Sequence, residues 1–214
     1  QQEHQQQPPV TGSRGAAEPR PGGLSAVVHC DGHLDHLPQR RNRAVKLVVI
    51  GVAGCGKSTL AAGIADALGA EMIEGDAHHL PASRDKMSRG IALQDSDREP
   101  WLDRLGALLA ASPGAAILAC SALKLRYRDR LRAAVPGLRF VFIEIEQAES
   151  ARRVGSRSGH LFPAALVASQ FEALEAPHGE AGVLIVAATL SPDAQLEAAL
   201  RWLGTAGSHD GAPP

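Results

Sequence analysis

The sequence predicts an α/β fold, a three-layer α/β/α sandwich built on a five-stranded parallel sheet, and three observations carry that expectation. Short β-branched apolar runs alternate with stretches of helical period through most of the chain. The octet Gly51-Val52-Ala53-Gly54-Cys55-Gly56-Lys57-Ser58 stands between the first such run and the first helical stretch. That is the strand–loop–helix context in which G-x-x-x-x-G-K-[ST] forms a phosphate-binding loop. The composition is ordinary for a globular domain, with 44% hydrophobic and 21% charged residues among 214, a length that suits one domain with loose ends.

Each element can be justified in turn. Residues 1–43 are rich in Gln, Pro, Gly and His and carry no sustained period. Such a segment buries too little apolar surface to offset its ordering entropy, so a disordered tail is expected. Cys30, His33 and His36 within it have metal-like spacing but lack a fourth ligand and a scaffold, and are read as part of a solvated tail. Lys46–Ile50 (KLVVI) reads as a buried parallel strand. Residues 56–68 read as a helix, with Leu60, Ile64, Ala67 and Leu68 at helical spacing and Gly69 as its stop. Glu71–Glu74 is the second strand. Residues 82–89 read as a helix, and a longer helix follows over 97–111, with Ser96 and Glu99 as a capping box and Pro100 in the first turn. Residues 115–120 form the third strand, and Leu125–Ala134 a helix stopped by Pro136 and Gly137. Residues 138–145 form the fourth strand, 147–156 and 164–175 two helices, Val183–Ala187 the fifth strand and 193–203 the last helix. Residues 44–204 are thus expected to be the domain, and 205–214 a second disordered tail. Strands and helices in this alternation imply a parallel sheet covered on both faces.

Composition also excludes. The formal net charge of -1 supplies no basic field for a nucleic-acid partner. No apolar run approaches the roughly 20 residues that span a bilayer, so no membrane partner is expected. No basic segment followed by an apolar one is seen near the start, so no secretory signal is expected. Cys30, Cys55 and Cys120 are odd in number and scattered, which gives no disulfide framework and fits a reducing compartment. A cytoplasmic location is the expectation.

The octet assigns a nucleotide-binding set: Gly51, Val52, Ala53, Gly54, Cys55, Gly56, Lys57, Ser58 and Thr59. Its glycines let successive N–H groups turn towards phosphate oxygens, and the following helix adds the positive end of its dipole. Lys57 is expected to reach the β- and γ-phosphates, the Ser58 hydroxyl to join the Mg²⁺ shell, and Thr59 to add a hydroxyl at the α-phosphate. Cys55 is read as a small loop residue, oxidation-prone if its thiol is exposed. A phosphate loop alone does not choose among kinases, GTPases, motor ATPases and sensors. N-K-x-D and D-x-x-G motifs are absent, and the third strand ends Ala119-Cys120-Ser121 without an acid, which points towards small-molecule kinases. Asp76 follows the second strand, where parallel-sheet ligands gather, and can take the acceptor hydroxyl's proton or orient that hydroxyl and the Mg²⁺ waters.

Residues 75–102, GDAHHLPASRDKMSRGIALQDSDREPWL, resemble the gluconokinase family of small P-loop kinases through G-D-x-x-H and K-M-x-x-G-x-x-L-x-D-x-D-R-x-P-W-L. Further blocks are similar to that family in the same order: Cys120-Ser121-Ala122-Leu123-Lys124 with Tyr127-Arg128-Asp129, then Arg153 with Arg157-Ser158-Gly159-His160, then Ser169-Gln170-Phe171-Glu172 with Leu174, Glu175 and Pro177. With the phosphate loop they span residues 46–203. The resemblance implies a P-loop NTPase fold like that of the nucleoside-monophosphate kinases, with a short helical lid. It implies ATP and Mg²⁺ as cofactors, gluconate as acceptor, 6-phosphogluconate and ADP as products, and a homodimer as a possible assembly.

A polyol carboxylate needs a cation at one end and hydrogen-bonding groups along its length. Arg98 is the candidate for the carboxylate, its fork matching both oxygens, against the plainer reading that it pairs with Asp95 or Asp97. His79 and Lys86 are candidate donors to hydroxyls, and Ser121 and Lys124 candidate contacts near the phosphates. Tyr127, Arg128 and Asp129 are read as structural, and Trp101 and Leu102 as core. In the segment the resemblance assigns to the lid, Arg153 and Arg157 are expected to share a helix face and neutralise the transferring phosphoryl, with His160 beside the substrate. The catalytic set is therefore Lys57, Asp76, Arg153 and Arg157. Four departures stand out: Leu80 where the family has Pro, Ser83 for Asn, Leu161 for Phe, and Ala187 or Ala188 where an Asp often follows the fifth strand. The rival readings are a kinase of another hydroxy acid such as shikimate, against which the P-W-L and C-S-A-L-K blocks stand, and a silent nucleotide sensor, against which Lys57, Ser58 and Asp76 stand.

Overall fold

The structure, a computed structural model, describes residues 45–156 and 165–205. Residues 1–43, expected to be a disordered tail, and Arg157 and His160, expected in the lid, lie outside the described residues, as does nearly all of the C-terminal tail. The strands fall where the apolar runs are: β1 Lys46–Ile50, β2 Glu71–Glu74, β3 Ala116–Ala119, β4 Arg139–Glu144 and β5 Val183–Ala187. All pair in parallel, in the order β2-β3-β1-β4-β5. Helices α1 Lys57–Leu68, α2 Pro81–Ser88, α3 Asp95–Ala111, α4 Leu125–Ala134, α5 Gln147–Gly155, α6 Ala165–Glu172 and α7 Pro192–Thr205 connect them, and a 3₁₀ turn, Gly75–His78, follows β2.

Strand alternation sorts the apolar side chains into two cores, one on each face of the sheet. Leu47, Val49, Ile117, Val141 and Ile143 pack with Leu60 and Ile64 of α1 and Ala199 and Leu203 of α7. Val48, Ile50, Leu118, Phe140 and Phe142 pack with Trp101, Leu105 and Leu109 of α3 and Leu131 of α4. The three-layer sandwich expected from the alternation is the observed one. The central strand β1 lies between β3 and β4, so the chain winds first to one side of it and then to the other. Its carboxyl end is the switch point where open α/β sheets bind ligands.

Two local expectations change. The start of α3 is capped by Gln94 and Asp97 rather than Ser96 and Glu99, with Asp97 Oδ2 accepting the Gln94 N–H at 2.9 Å. An acidic side chain two residues earlier satisfies the free N–H, so the helix begins earlier. Pro100 consequently sits inside the helix, past its first turn. The helix tolerates the lost N–H because the next residues, Trp101, Leu102 and Leu105, are fully buried.

Candidate active site

The loop from Gly51 to Gly56 leaves the carboxyl end of β1 and enters α1 at Lys57, so the N-terminal N–H groups of α1 face the loop's mouth. Lys57 Nζ donates to the Val52 carbonyl at 3.0 Å, folded back along the loop it is expected to serve. Ser58 and Thr59 are exposed at the first turn of α1. Cys55 is buried, so its thiol is not the exposed group that oxidation would need.

Two cavities open beside the carboxyl ends of the strands. The first, about 440 Å³, is lined by Gly54, Gly56, Thr59, Arg153, Leu190 and Gln195 among others, joining the phosphate loop to the turn after β5. Gln195 Nε2 holds that turn by donating to the carbonyls of Ala187 and Leu190 at 3.1 and 3.2 Å. Arg153 stands in this cavity, its guanidinium donating to Glu149 Oε1 at 2.6 Å and to the Ala188 carbonyl at 3.0 Å. Hydrogen bonds from Arg152 and Arg153 hold the Glu149 carboxyl down to about 2. The departure at Ala187 and Ala188 falls in this turn.

The second cavity, about 420 Å³, is lined by Leu93, Asp95, Arg98, Lys124, Ser169 and Ala173 among others. Arg98 donates to the Leu93 carbonyl and lies 5.9 Å from the Tyr127 ring centroid. Neither expected carboxylate is its partner. Asp95 is taken by Lys124 at 2.9 Å and by Tyr127 and Arg126. Asp97 is taken by Lys86 at 2.6 Å. Lys86, expected to reach acceptor hydroxyls, instead ties α2 to the start of α3, and Asp97 is held below the usual carboxylate range mainly by that hydrogen bond.

Asp76 sits in the 3₁₀ turn after β2 with its side chain exposed, 3.8 Å from His79 Nε2. His79 is buried and stacked on Trp101, whose indole N–H donates to the Gly75 carbonyl at 2.8 Å. Trp101 is thus a core residue that also fixes the turn bearing Asp76. Arg84 secures the far end of that turn, donating to the carbonyls of Ala77 and His79 at 2.9 and 3.0 Å.

The C-S-A-L-K loop after β3 is held by a buried cation. Arg128 donates to the carbonyls of Ala122, Leu123 and Glu175 and pairs with Glu180. Ala122 is held at φ 34, a left-handed conformation unusual for a residue with a side chain. This grip sets half-buried Ser121 and Lys124 on the rim of the sheet. Cys120, at the end of β3, has its thiol pushed up to about 12 by burial and is not a nucleophile.

Three contributors had no assigned role on sequence grounds. Ser150 and Gln170 both bond the Ala53 backbone, at its carbonyl and its N–H, and the Glu175 carboxylate accepts the Leu125 N–H at 2.6 Å to cap α4. Gln170 and Glu175 stood inside a quoted block, whereas nothing about the spacing of Ser150 marked it.

Comparison with known proteins agrees with this architecture. A family model described as an AAA domain matches residues 47–180. The chain is 45% identical over 159 residues to the gluconokinase of Gluconobacter oxydans (strain 621H), covering 72% of this chain and 89% of that protein. The crystal structure of a gluconokinase from Sinorhizobium meliloti 1021 superposes with a TM-score of 0.72 at 41% identity, covering 78% of this chain and 96% of that one. Deoxyadenosine kinase from M. mycoides, 15% identical, superposes at 0.53 over 76% of this chain and all of that one, and so shares the fold.

Proposed function

This chain belongs to the gluconokinase family, and from that membership we propose how its own residues carry out the ATP-dependent phosphorylation of gluconate. The products are ADP and, by transfer to the 6-hydroxyl, 6-phosphogluconate. Residues 44–204 form the catalytic domain of this reading. Among the described residues no helix is long and apolar enough to cross a membrane.

ATP lies with its phosphates in the loop of Gly51 to Ser58 and its base in the cavity between Thr59 and Leu190. Lys57 swings from the Val52 carbonyl onto the β- and γ-phosphates, a short movement for a flexible four-carbon stem. The Ser58 hydroxyl, exposed at the first turn of α1, would hold Mg²⁺ together with phosphate oxygens of the nucleotide. When bound, the ion supplies charge neutralisation on those oxygens. Arg153 adds positive charge at the same end of the cavity once it releases the Ala188 carbonyl.

Gluconate occupies the 420 Å³ cavity, its carboxylate on the fork of Arg98 and its hydroxyls beside Lys124, with Ser121 of the same loop outside the cavity lining. Asp76 orients the 6-hydroxyl and takes its proton as the bond to the γ-phosphorus forms. His79, stacked on Trp101, backs the turn that bears Asp76. The observation that carries this reading is Arg98: a guanidinium on a cavity wall with no carboxylate partner among the described residues.

The test is ADP release by the purified protein with Mg-ATP and gluconate, shikimate or ribonucleotides in turn. Gluconate-dependent ADP is expected, and its absence would overturn the reading. Asp76→Asn should abolish turnover while keeping ATP binding; full activity in that variant would remove Asp76 from its role.

A further inference from the structure

The phosphate loop is gripped at one residue, Ala53, by two side chains from outside it. The Ala53 N–H donates to Gln170 Oε1 of α6 at 2.6 Å, and the Ala53 carbonyl accepts the Ser150 hydroxyl of α5 at 2.8 Å. Only an acceptor satisfies that N–H, which fixes the carboxamide with its oxygen towards the loop. Ser150 is fully buried, and Gln170 is half-buried. The next residue, Gly54, at φ +76, rests directly on α5: a Cβ there would lie 3.0 Å from the Ser150 carbonyl and 3.1 Å from Val154 Cγ2. No side chain fits between loop and helix.

A loop with three glycines in six residues has wide conformational freedom. Ordering it when phosphate arrives would subtract from binding, whereas a loop ordered in advance would not. The amides that turn towards phosphate begin directly after Ala53, so the two peptide planes flanking its Cα set the direction in which Gly54 starts the turn. The two helices that hold this residue also build the cavities: α5 contributes Arg153 to the nucleotide side, and α6 contributes Ser169, with Ala173 just beyond its end, to the acceptor side. We propose that Gln170 and Ser150 are positioning residues that clamp Ala53 through its N–H and its carbonyl and keep the phosphate loop in its binding shape before nucleotide enters. This rests on reading that loop as the nucleotide site, but not on gluconate being the acceptor.

The experiment compares the parent protein with Gln170→Met, Ser150→Ala and the double variant. Calorimetric titration with Mg-ADP and with a non-hydrolysable ATP analogue gives nucleotide affinity. Steady-state kinetics give the KM for ATP and for gluconate, and a thermal melt checks folding. Each single variant is expected to weaken nucleotide binding about threefold to tenfold, the worth of one neutral hydrogen bond. The KM for gluconate should stay within twofold of the parent. Because the two bonds hold the peptides on either side of one Cα, the double variant should lose less than the product of the two singles. Nucleotide affinity within twofold of the parent in both singles would overturn the proposal, as would a loss falling equally on gluconate, or full additivity. Should Ser150→Ala melt far below the parent, Gln170→Met at its half-exposed site decides alone. A parent that binds nucleotide yet ignores gluconate would sink the acceptor assignment and leave the clamp measurable.

Discussion

His79 lies face to face on Trp101, ring centroids 4.1 Å apart and planes 14° from parallel, with its Nε2 turned towards Asp76 and no hydrogen-bond partner for Nδ1 among the described residues. Stacking and burial make this a histidine that stays neutral. Desolvation lowers its pKa to about 4; the Asp76 charge opposes that shift, and Arg98 and Arg84 reinforce it.

The sign of the resulting pH dependence follows from proton counting. In the unfolded chain the imidazole takes up a proton as pH falls through about 6.5, while in the folded chain it waits until about 4. Across that interval the unfolded state binds more protons, so stability falls as pH falls. The melting temperature should therefore decline from pH 6.5 to pH 4, and His79→Gln should show a shallower decline. Identical slopes for the two proteins would assign the loss to other groups.

Arg98→Lys keeps the charge and removes the fork. Charge-assisted hydrogen bonds are worth roughly 1.5–3 kcal/mol, so the KM for gluconate should rise about tenfold to a hundredfold. The KM for ATP should not move, because Arg98 lines only the acceptor cavity. Kinetics with each substrate varied in turn separate the two outcomes, and an unchanged gluconate KM would count against the carboxylate role.

Arg128→Met removes the donor to three carbonyls and leaves Glu180 paired with Arg132 alone, at 3.0 Å. Because that second cation remains, the cost should fall short of the roughly 3–5 kcal/mol of breaking a buried pair from one side. A clear drop in the urea midpoint is expected, with a further drop when Arg132→Met is added. A parental midpoint in Arg128→Met would mean that the carbonyl bonds and the pair add nothing to stability.

Gly75→Ala places a methyl 2.5 Å from the Ala119 carbonyl, so the end of β2 must part from β3. Overpacking of this kind costs about 1–3 kcal/mol. The displaced residue adjoins Asp76, so kcat should fall further than the melting temperature alone accounts for. A variant with lowered stability but parental kcat would show that the turn adjusts independently of the strand.

Legibility from sequence divides along a physical line. The strands and helices were readable because burial imposes period on local sequence: Leu47 and Val49 face one core, Val48 and Ile50 the other. The phosphate loop was readable because its backbone geometry restricts residue type. Choices between equivalent local partners were not. Ser96 with Glu99 and Gln94 with Asp97 both meet the demands of a cap, and only tertiary position selected the second. Lys86 and Arg98 are both cations near one site, yet whether each faces a ligand or a carboxylate depends on how α2 meets α3. Long-range hydrogen bonds such as those of Gln170 and Ser150 to Ala53, 117 and 97 residues apart in sequence, leave no local trace.

The strand order β2-β3-β1-β4-β5 has one more implication. The pieces read here as grasping the acceptor hang from β2 and β3, in residues 75–128, while those read as grasping nucleotide hang from β1, β4 and β5. On the proposed assignment, choice of acceptor would be encoded in a nearly contiguous cassette on one flank of a fixed chassis. Exchanging that cassette for the equivalent stretch of a sister enzyme should retarget the catalyst without rebuilding its fuel port. Helix α6, which touches both flanks, is the seam where such a graft must match.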